Sequence, residues 1–357
     1  MKSNYDILGN HIRLIDTRNR ESITDRVLGI NIDKFFMPSV ANVIGTDLSK
    51  YKLITKGKFA CNPMHVGRDE RLPVALYDEE EPAIVSPAYF MFEVVDNSIL
   101  NEDYLMMWFR RPEFDRICWL HTDGSVRGGI TWDDICRLEL PIPPIENQLE
   151  IVNSYKVITE RIALKQKIND NLDDTAQTLY QKYFESNSDK SSWKQGTVGD
   201  VLQLQRGHDL PRTEMTGGKY PVAGSTGTIG YHDEFTAEAP VIVMGRSGNI
   251  GNPRLYLCNC WTHNTSLYVK QIYEAEPLWV FYLLKNLNYD GFVGGSAVPT
   301  LNRNDVHAYG IAIPPLELQK SFSQKVMSLI YCKEENLSEI EKLQELQKII
   351  LTTMSSR

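Results

Sequence analysis

The sequence lacks most of the features that would place a chain in a membrane, in an oxidising compartment or around a metal ion. No apolar run reaches the roughly 20 residues that a bilayer-spanning helix needs, and the start MKSNYDILGN has no signal-peptide apolar core. The 6 cysteines are scattered, and the closest pair, Cys258 and Cys260, has the wrong spacing for a zinc knuckle. The sequence therefore predicts a cytoplasmic protein with reduced thiols and no metal site.

Catalytic motifs are missing as well. The segments GSTGTIG (224–230) and GRSGNIG (245–251) fit neither the G-x-G-x-x-G fingerprint nor the phosphate-binding P-loop. Asn62-Pro63-Met64 lacks the second proline and the aromatic residue with which amino-methyltransferases hold a flipped base. No pattern of a serine hydrolase, a zinc protease or a paired-carboxylate nuclease stands out. We therefore predict no catalytic residue and no cofactor in this chain.

The charge balance limits the binding functions. The formal net charge is −8, which argues against simple non-specific binding to nucleic acid. The 357 residues and the 42% hydrophobic content are sufficient for two domains with cores of their own. If the protein binds DNA, it must do so through local patches, helped by a partner.

The strongest positive signal is a long helical pattern that occurs twice. It opens at Ile142-Pro143-Pro144 and again at Ile313-Pro314-Pro315, and the offset, 313 − 142 = 171 residues, holds without a gap through both patterns. Apolar side chains recur alternately every three and four residues, as at the a and d positions of a coiled coil. Lys165 and Asn169 are polar residues where the first seam should be apolar. Lys333 and Asn336 interrupt the second seam in a similar way. The predicted seam residues are Ile151, Tyr155, Ile158, Ile162, Leu172, Leu179, Val326, Leu329, Ile340, Leu343 and Ile350.

We interpret the repeat as an internal duplication. It predicts the order globular block, long helix, block, long helix: residues 1–144, then helix and linker 145–190, then 191–315, then helix 316–357. The blocks carry short strand patterns with a helix before each Pro-Pro entry, Glu102 to Arg111 in the first block and Leu278 to Leu287 in the second. The predicted class is therefore α+β. Two mixed α/β domains are then separated by two long helices that form an antiparallel coiled coil with pseudo-twofold symmetry.

The blocks offer loops of Gly, Ser, Thr, Asn and Arg at strand ends, which suit contacts to DNA grooves. Arg can fork onto guanine, Asn can pair with adenine, and Ser or Thr can bond phosphate. For any single residue, an ordinary polar loop remains the competing interpretation. The candidate DNA-binding residues are Lys56, Lys58, Asn62, Arg68, Arg71, Arg127, Lys219, Ser225, Thr226, Arg246, Ser247, Asn249, Arg254, Asn264, Thr265 and Arg303.

The whole pattern resembles the specificity (S) subunits of type I restriction-modification systems. The resemblance is carried by Pro141-Ile142-Pro143-Pro144-Ile145-Glu146-Asn147-Gln148 and by Ile313-Pro314-Pro315-Leu316-Glu317-Leu318-Gln319. The segments Trp193…Gly199-Asp200-Val201, Gly227-Thr228-Ile229-Gly230 and Gly245-Arg246-Ser247-Gly248 also fit. The first block departs from the family pattern, because Tyr5-Asp6-Ile7-Leu8-Gly9 stands where the family has a tryptophan start.

The resemblance implies a chain that does no chemistry itself. It implies two target-recognition domains that read the halves of a split site in double-stranded DNA. The partners would be two methyltransferase (M) subunits and two motor-nuclease (R) subunits, with no membrane. Those partners would bind S-adenosylmethionine, ATP and Mg.

Two alternatives remain open at this point. A two-headed coiled-coil scaffold that binds proteins or glycans needs no DNA, and the net charge of −8 favours it somewhat. An enzyme that uses Arg127 or His263 in a glycine-rich pocket is the other alternative. Duplex binding that weakens with salt would favour DNA recognition over the scaffold, and methyl transfer by the isolated chain would favour the enzyme.

Overall fold

The structure, a computed structural model, describes residues 5–41, 43–64, 66–122, 128–289, 293–294 and 300–354. The chain divides into two compact units. Unit 1 combines Met1–Leu164 with Glu339–Arg357, and unit 2 comprises Lys165–Ser338. Each unit therefore contains one globular block together with a segment of both long helices.

Unit 1 is built mainly from short strands and short helices. Its strands are β1 (Tyr5–Ile7), β2 (Ile12–Leu14), β3 (Val27–Ile30), β4 (Phe36–Pro38), β5 (Lys52–Ile54), β6 (Lys58–Cys61), β7 (Val74–Tyr77), β8 (Ala83–Val85), β9 (Phe90–Val94) and β10 (Glu139–Pro141). Its helices are α1 (Val66–Asp69), α2 (Glu102–Phe109), α3 (Pro112–Leu120) and α4 (Trp132–Cys136), followed by the first long helix, α5 (Ile145–Tyr180).

Unit 2 follows the same plan. Its strands are β11 (Lys194–Thr197), β12 (Leu202–Arg206), β13 (Tyr220–Gly224), β14 (Gly227–His232), β15 (Val241–Gly245), β16 (Gly251–Tyr256), β17 (Trp261–Thr262), β18 (Ser266–Ile272), β19 (Val293–Gly294), β20 (Thr300–Leu301) and β21 (Gly310–Ile313). Its short helices are α6 (Pro277–Lys285) and α7 (Arg303–His307), and the second long helix is α8 (Leu316–Thr353).

The strand order shows that the duplication extends to the globular blocks. Unit 1 has the sheets β2-β9-β6-β7 and β4-β3-β8-β5, and unit 2 has β12-β18-β15-β16 and β14-β13-β17. Strand β3 runs parallel to β8, and β13 runs parallel to β17, while the other pairs in these four sheets are antiparallel. The first strand of each block pairs with the strand before the Pro-Pro entry, β1 with β10 and β11 with β21. The predicted α+β class and internal repeat are confirmed.

Each unit has an aromatic core between a sheet and a short helix. In unit 1, Phe59 of β6 stacks on Phe92 of β9 with ring centroids 5.0 Å apart, and Phe109 of α2 meets the ring of Phe59 edge-on at 5.8 Å. In unit 2, Trp279 of α6 is 1% exposed and packs in one cluster with Phe184 and Phe322. Helix packing against the strongly apolar strands therefore holds each block together.

The helix bounds differ from the predicted ones for a local reason. The helix predicted over 102–111 ends at Phe109, and a second helix, α3, begins at Pro112. The residue before a proline is disfavoured in helical conformation, whereas proline itself suits the first helical turn. Arg111 accordingly has extended backbone angles and starts the new helix. Likewise, the helix predicted over 278–287 spans Pro277–Lys285.

The glutamine of the repeated Pro-Pro-x-Glu-x-Gln motif joins each long helix to its block. Gln148 is fully buried; its Nε2 donates to the carbonyl oxygens of Ile99 (2.8 Å) and Pro143 (2.7 Å), and its Oε1 accepts from the backbone N of Asn101 (2.9 Å). Gln319 forms two equivalent bonds in the second repeat. Its Nε2 donates to the carbonyl oxygen of Pro314, and its Oε1 accepts from the backbone N of Glu276. The motif is thus explained by buried hydrogen bonds.

Within unit 1, segments of the two long helices pack against each other in antiparallel directions. Ile158 and Ile162 of α5 form an apolar cluster with Ile340 and Leu343 of α8. The direction is antiparallel, because Thr159 contacts Gln347 whereas Arg161, further along α5, contacts the earlier Glu339 of α8. An ion pair of Arg161 with Glu339 and a hydrogen bond from Gln347 Nε2 to Thr159 Oγ1 (2.7 Å) flank this cluster. The end of α8 also packs into the core of this unit, through Ile350, Leu351 and Met354.

Within unit 2, the two long helices meet in a polar layer. Asn336 Nδ2 donates to Asn169 Oδ1 (2.9 Å), and Lys165 Nζ donates to Asn336 Oδ1 (2.9 Å). Lys333 pairs with Asp173. Asn169 and Asn336 are 5% and 8% exposed, so the residues that interrupt the seam satisfy one another. A buried polar pair of this kind favours one alignment of two helices at some cost in stability.

Candidate nucleic-acid interface

Three loops of unit 2 converge on one cavity of about 520 Å³. They are the tip of the β13–β14 hairpin, the segment after β17 and the segment after β12. Four of the candidate residues line the cavity, together with Asp209, Arg212 and His263, which were not among them. The full lining is Asp209, Leu210, Pro211, Arg212, Ser225, Thr226, Ile229, His263, Asn264 and Thr265. The cavity therefore combines hydroxyl, amide, carboxylate and guanidinium groups with the apolar side chains of Leu210, Pro211 and Ile229.

The tip of the β13–β14 hairpin depends on a glycine. Gly224 pairs with Gly227, so Ser225 and Thr226 form a two-residue loop. Gly227 has φ +119, a conformation that side chains disfavour. A Cβ there would lie 2.9 Å from Nη1 of Arg254. The glycine lets the chain turn tightly, and it lets an exposed guanidinium lie against the turn.

Thr265 ties the loops together. Its hydroxyl lies 3.3 Å from the backbone N of Ser225 and 2.9 Å from Nδ1 of His263. Its carbonyl accepts from the backbone N of Arg246 (3.0 Å) and from that of Ser247 (3.4 Å). The loops thus share one polar hub, which positions the groups around the cavity before any ligand arrives.

The backbone of Arg246 is held by hydrogen bonds on both sides of the residue. Its carbonyl accepts from the N of Leu301 at 2.8 Å, which with the bond to Thr265 holds the residue on both sides. In the part of the chain that the structure describes, its half-exposed guanidinium pairs with no carboxylate. An unpaired Arg on a rigid loop is suited to bidentate contact with a base or a phosphate.

Asn249 uses its amide inside the protein. Its Nδ2 donates to the carbonyl of Ser225 (3.1 Å), and its Oδ1 accepts from Nδ2 of Asn252 (2.7 Å). The side chain therefore holds the β15–β16 loop against the hairpin tip. Its predicted DNA contact has not been tested, but the geometry favours a supporting role.

Three further cationic candidates of unit 2 lie outside the cavity lining. Lys219 is exposed, with its Nζ 5.1 Å from the ring centroid of Tyr220. Arg254 is exposed on β16, and Arg303 is exposed as the first residue of α7. They are available for phosphate contacts, which position a protein on a duplex without reading its sequence.

The candidate residues of unit 1 are less available. Lys56 pairs with Glu80, Lys58 with Glu93, Arg68 with Asp69 (2.6 Å) and Arg71 with Asp33 (2.9 Å). The Oδ1 of Asn62 accepts from the backbone N of Met64 at 3.2 Å, and Arg127 lies outside the described residues. Each of these four cations is thus paired with an acid nearby. Their role in binding DNA stays a prediction.

Two further properties bear on the kind of site. Over the described ranges, no group of three or more His, Cys, Asp or Glu residues could hold a metal ion. Within the same ranges, no helix is long and apolar enough to cross a membrane. Sequence reasoning missed Asp209 and Arg212 because they belong to a loop with no glycine-rich pattern, and only the fold brings that loop beside the hairpin tip.

The comparisons with known proteins agree with this architecture. Residues 190–349 match the family model of the type I restriction modification DNA specificity domain. The chain is 21% identical, over 396 aligned positions, to the inferred specificity subunit of the MjaX type I restriction enzyme of Methanocaldococcus jannaschii, with 98% of this chain and 88% of the relative covered. It is 24% identical over 191 residues to the HindI specificity subunit of Haemophilus influenzae, which covers 53% of this chain and 40% of that relative.

Solved structures share the fold. The S subunit of a type I restriction-modification system from M. genitalium superimposes with a TM-score of 0.61 at 17% identity, covering 100% of this chain and 97% of the other. A chain from a study of complex assembly and conformational transition in the type I R-M system gives a TM-score of 0.50 at 16% identity, covering 98% and 96%.

Two α+β units with one strand order, each joined to segments of the same two long helices, define an internally duplicated two-headed protein. Residues 190–349 match the type I restriction modification DNA specificity domain, and the chain is similar over nearly its whole length to a type I specificity subunit.

Proposed function

We propose that this chain gives a type I restriction-modification complex its sequence specificity by recognising a bipartite DNA site. The block 1–144 reads one half-site and the block 191–315 reads the other. The observation that carries the proposal is one strand order repeated in two blocks with different loop sequences. Repetition of the fold with divergent loops is what two readers of different sequences require.

The cavity of unit 2 supplies the chemistry of reading. Ser225, Thr226 and Asn264 present hydroxyl and amide groups, and Arg246 adds an unpaired guanidinium on an adjacent rigid loop. Such groups form hydrogen bonds with base edges in the major groove, each good bidentate pair contributing about 1–3 kcal/mol of discrimination. Lys219, Arg254 and Arg303 contact phosphates around this centre.

The long helices set the unread gap between the half-sites and dock the partners. Two methyltransferase subunits bind this chain, and two motor-nuclease subunits bind through them. The net charge of −8 is consistent with methyltransferases that supply much of the positive surface around the duplex. S-adenosylmethionine, ATP and Mg belong to those subunits, this chain binds no cofactor, and the complex works in the cytoplasm.

Methylome sequencing tests the proposal directly. A host strain with the partner subunits is compared with and without the gene for this chain. We expect a split motif with adenine methylation on both strands that disappears with the gene. An unchanged methylome, with the chain expressed and assembled, would refute the proposal.

The second candidate function is a non-catalytic two-headed scaffold for protein partners. The ion pairing of the cationic candidates in unit 1 favours it, because neutralised cations attract a polyanion weakly. Duplex binding by the assembled complex separates the two functions. Specific DNA recognition excludes the scaffold as the main role, whereas salt-independent binding to a protein and no binding to DNA would favour it.

A further inference from the structure

One wall of the cavity in unit 2 carries an acid. Asp209 follows β12, lines the cavity and has a side chain that is 73% exposed. Duplex DNA carries about one negative charge per 1.7 Å of its axis, so a carboxylate that faces it is repelled by the phosphates. An acid in a surface that approaches DNA therefore weakens binding unless it makes a specific contact.

The two oxygens of Asp209 have different surroundings. Oδ1 accepts from Nδ2 of Asn264 and from Nη2 of Arg206, the latter at 3.3 Å. Among the residues that the structure describes, Oδ2 accepts no hydrogen bond. Arg206 and Asn264 thus hold the carboxylate in place by one oxygen and leave the other oxygen to a ligand.

The bond to Asp209 also fixes the orientation of the Asn264 amide. The amide nitrogen faces the carboxylate, because two oxygens in contact would repel each other. The amide oxygen is therefore turned away from Asp209, and it accepts no hydrogen bond from the described residues. Two acceptors, the Oδ2 of Asp209 and the Oδ1 of Asn264, are consequently available within one cavity.

Acceptors of this kind select among base edges. In the major groove, guanine presents two acceptors and thymine presents an acceptor and a methyl group. Cytosine presents the N4 amino group as its donor, and adenine presents the N6 amino group. A carboxylate that meets guanine or thymine at this position gains no hydrogen bond and keeps its desolvation cost.

We propose that Asp209 is a specificity-determining residue, which accepts a hydrogen bond from the exocyclic amino group of a cytosine or adenine in the second half-site. Arg206 is a positioning residue that orients the carboxylate. This inference rests on the proposed function, since it names one contact of the same DNA-reading cavity. Asp209 would thereby cause the protein to reject guanine and thymine at one position of the half-site.

The test uses the assembled complex of this chain with its methyltransferase subunits. The methylome first identifies the bipartite site, and each base pair of both half-sites is then replaced in turn in duplexes for binding titrations. The proteins are the wild type, Asp209→Asn and the control Asp189→Asn. The control removes the same charge from an exposed position in the turn between α5 and β11, outside the cavity lining.

We expect the wild type to require cytosine or adenine at one position of one half-site. In Asp209→Asn the remaining oxygen stays with the donors Arg206 and Asn264, so an amide nitrogen, which cannot accept, replaces Oδ2. This variant should lose about 5- to 150-fold of discrimination at that position and keep its preferences elsewhere. Asp189→Asn should match the wild type at every position. An Asp209→Asn complex with an unchanged profile would overturn the proposal. A change in affinity that is equal for all sequences would also overturn it, because it would show only general repulsion from phosphate.

A second measurement needs no variant and remains decisive if Asp209→Asn fails to fold. Each cytosine of the half-sites is replaced by pyrimidin-2-one, and each adenine by purine, which removes the amino group from the base. We expect the wild-type complex to lose about 5- to 150-fold in affinity at one of these substitutions. No loss at any of them would overturn the proposal. A wild-type complex without a bipartite site would instead refute the proposed function, and this inference with it.

Discussion

The role of the long helices in setting the gap can be tested by removing one heptad from each of them. The matched deletions are residues 158–164 of α5 and 338–344 of α8. They remove the four members of the apolar cluster in unit 1 together. They retain the contacts of Tyr155 and Ile350 with the core of unit 1 and the hydrogen bonds of Asn336 in unit 2. Since each deletion is one full heptad, the remaining seam residues keep their a and d positions.

The expected size of the effect follows from helix geometry. Seven helical residues at about 1.5 Å each shorten a helix by about 10 Å, which corresponds to about 3 base pairs at about 3.4 Å per pair. The unread gap in the recognised site should therefore shorten by about 3 base pairs, with both half-sites unchanged. About 3 base pairs also turn the duplex by roughly 100°, given about 10 pairs per turn. The methylation efficiency should fall, because the DNA or the protein must twist to compensate.

Methylome sequencing of a host that carries the matched deletion measures the gap and the half-sites together. The control is the deletion of 158–164 alone, which leaves residues 338–344 without their partners and should abolish assembly. Methylation of the original gap at wild-type efficiency by the matched variant would refute the idea that the helices set the spacing. Altered half-sites would show that the deletion reaches the reading loops.

Arg246→Ala should weaken binding to the second half-site by about 1–3 kcal/mol if the guanidinium reads a base. Equal loss in titrations on all sequences would make it a phosphate contact, and no loss would remove it from the interface. Gln148→Leu removes three part-buried hydrogen bonds to the backbone of Ile99, Asn101 and Pro143, so it should lower the free energy of unfolding by about 0.5–1.5 kcal/mol per lost bond. Urea titration checks this, and the exposed Asn147→Leu should change it by no more than about 0.5 kcal/mol. Burial lowers the pKa of His307, and its Nε2 accepts a hydrogen bond from the backbone N of Leu204 (2.9 Å). The neutral imidazole therefore stabilises the folded state. This stabilisation is full above the ordinary pKa of 6.5 and is lost as the pH falls below that value. Between about pH 7.5 and 5.5 the melting temperature of the wild type should fall more than that of His307→Gln, and equal falls would contradict this.

The duplication and its coiled-coil seam could be predicted from the sequence because both are local in character. A seam is a periodic pattern within one helix, and Ile158, Ile162, Ile340 and Leu343 do meet in one cluster. The interruption by Asn169 was also visible as a polar residue at an apolar position. The sequence showed only that Asn336 is a similar polar interruption in the second repeat. The structure shows that the two residues form a hydrogen bond of 2.9 Å.

The loops of unit 2 were predicted as a composition, and the fold decides which of them meet. Ser225 and Thr265 are 40 residues apart in the chain, and a backbone N–H to hydroxyl bond joins them. The strand order β12-β18-β15-β16 brings such distant segments together, and no local pattern specifies that order. The sequence did not single out Asp209 for the same reason, because the orientation of its carboxylate depends on the hydrogen bond from Asn264.

The sequence by itself determined the internal repeat, the two long helices, the α+β class and the family resemblance, because these depend on periodicity and on short motifs with fixed spacing. Only the tertiary structure decided that Gln148 is a buried clamp, that the cations of unit 1 are neutralised, and that a carboxylate lies in the polar cavity of unit 2. The physical reason is that burial, ion pairing and hydrogen-bond partners are relations between residues far apart in the chain. Those relations exist only after the strands have paired and the helices have packed on them.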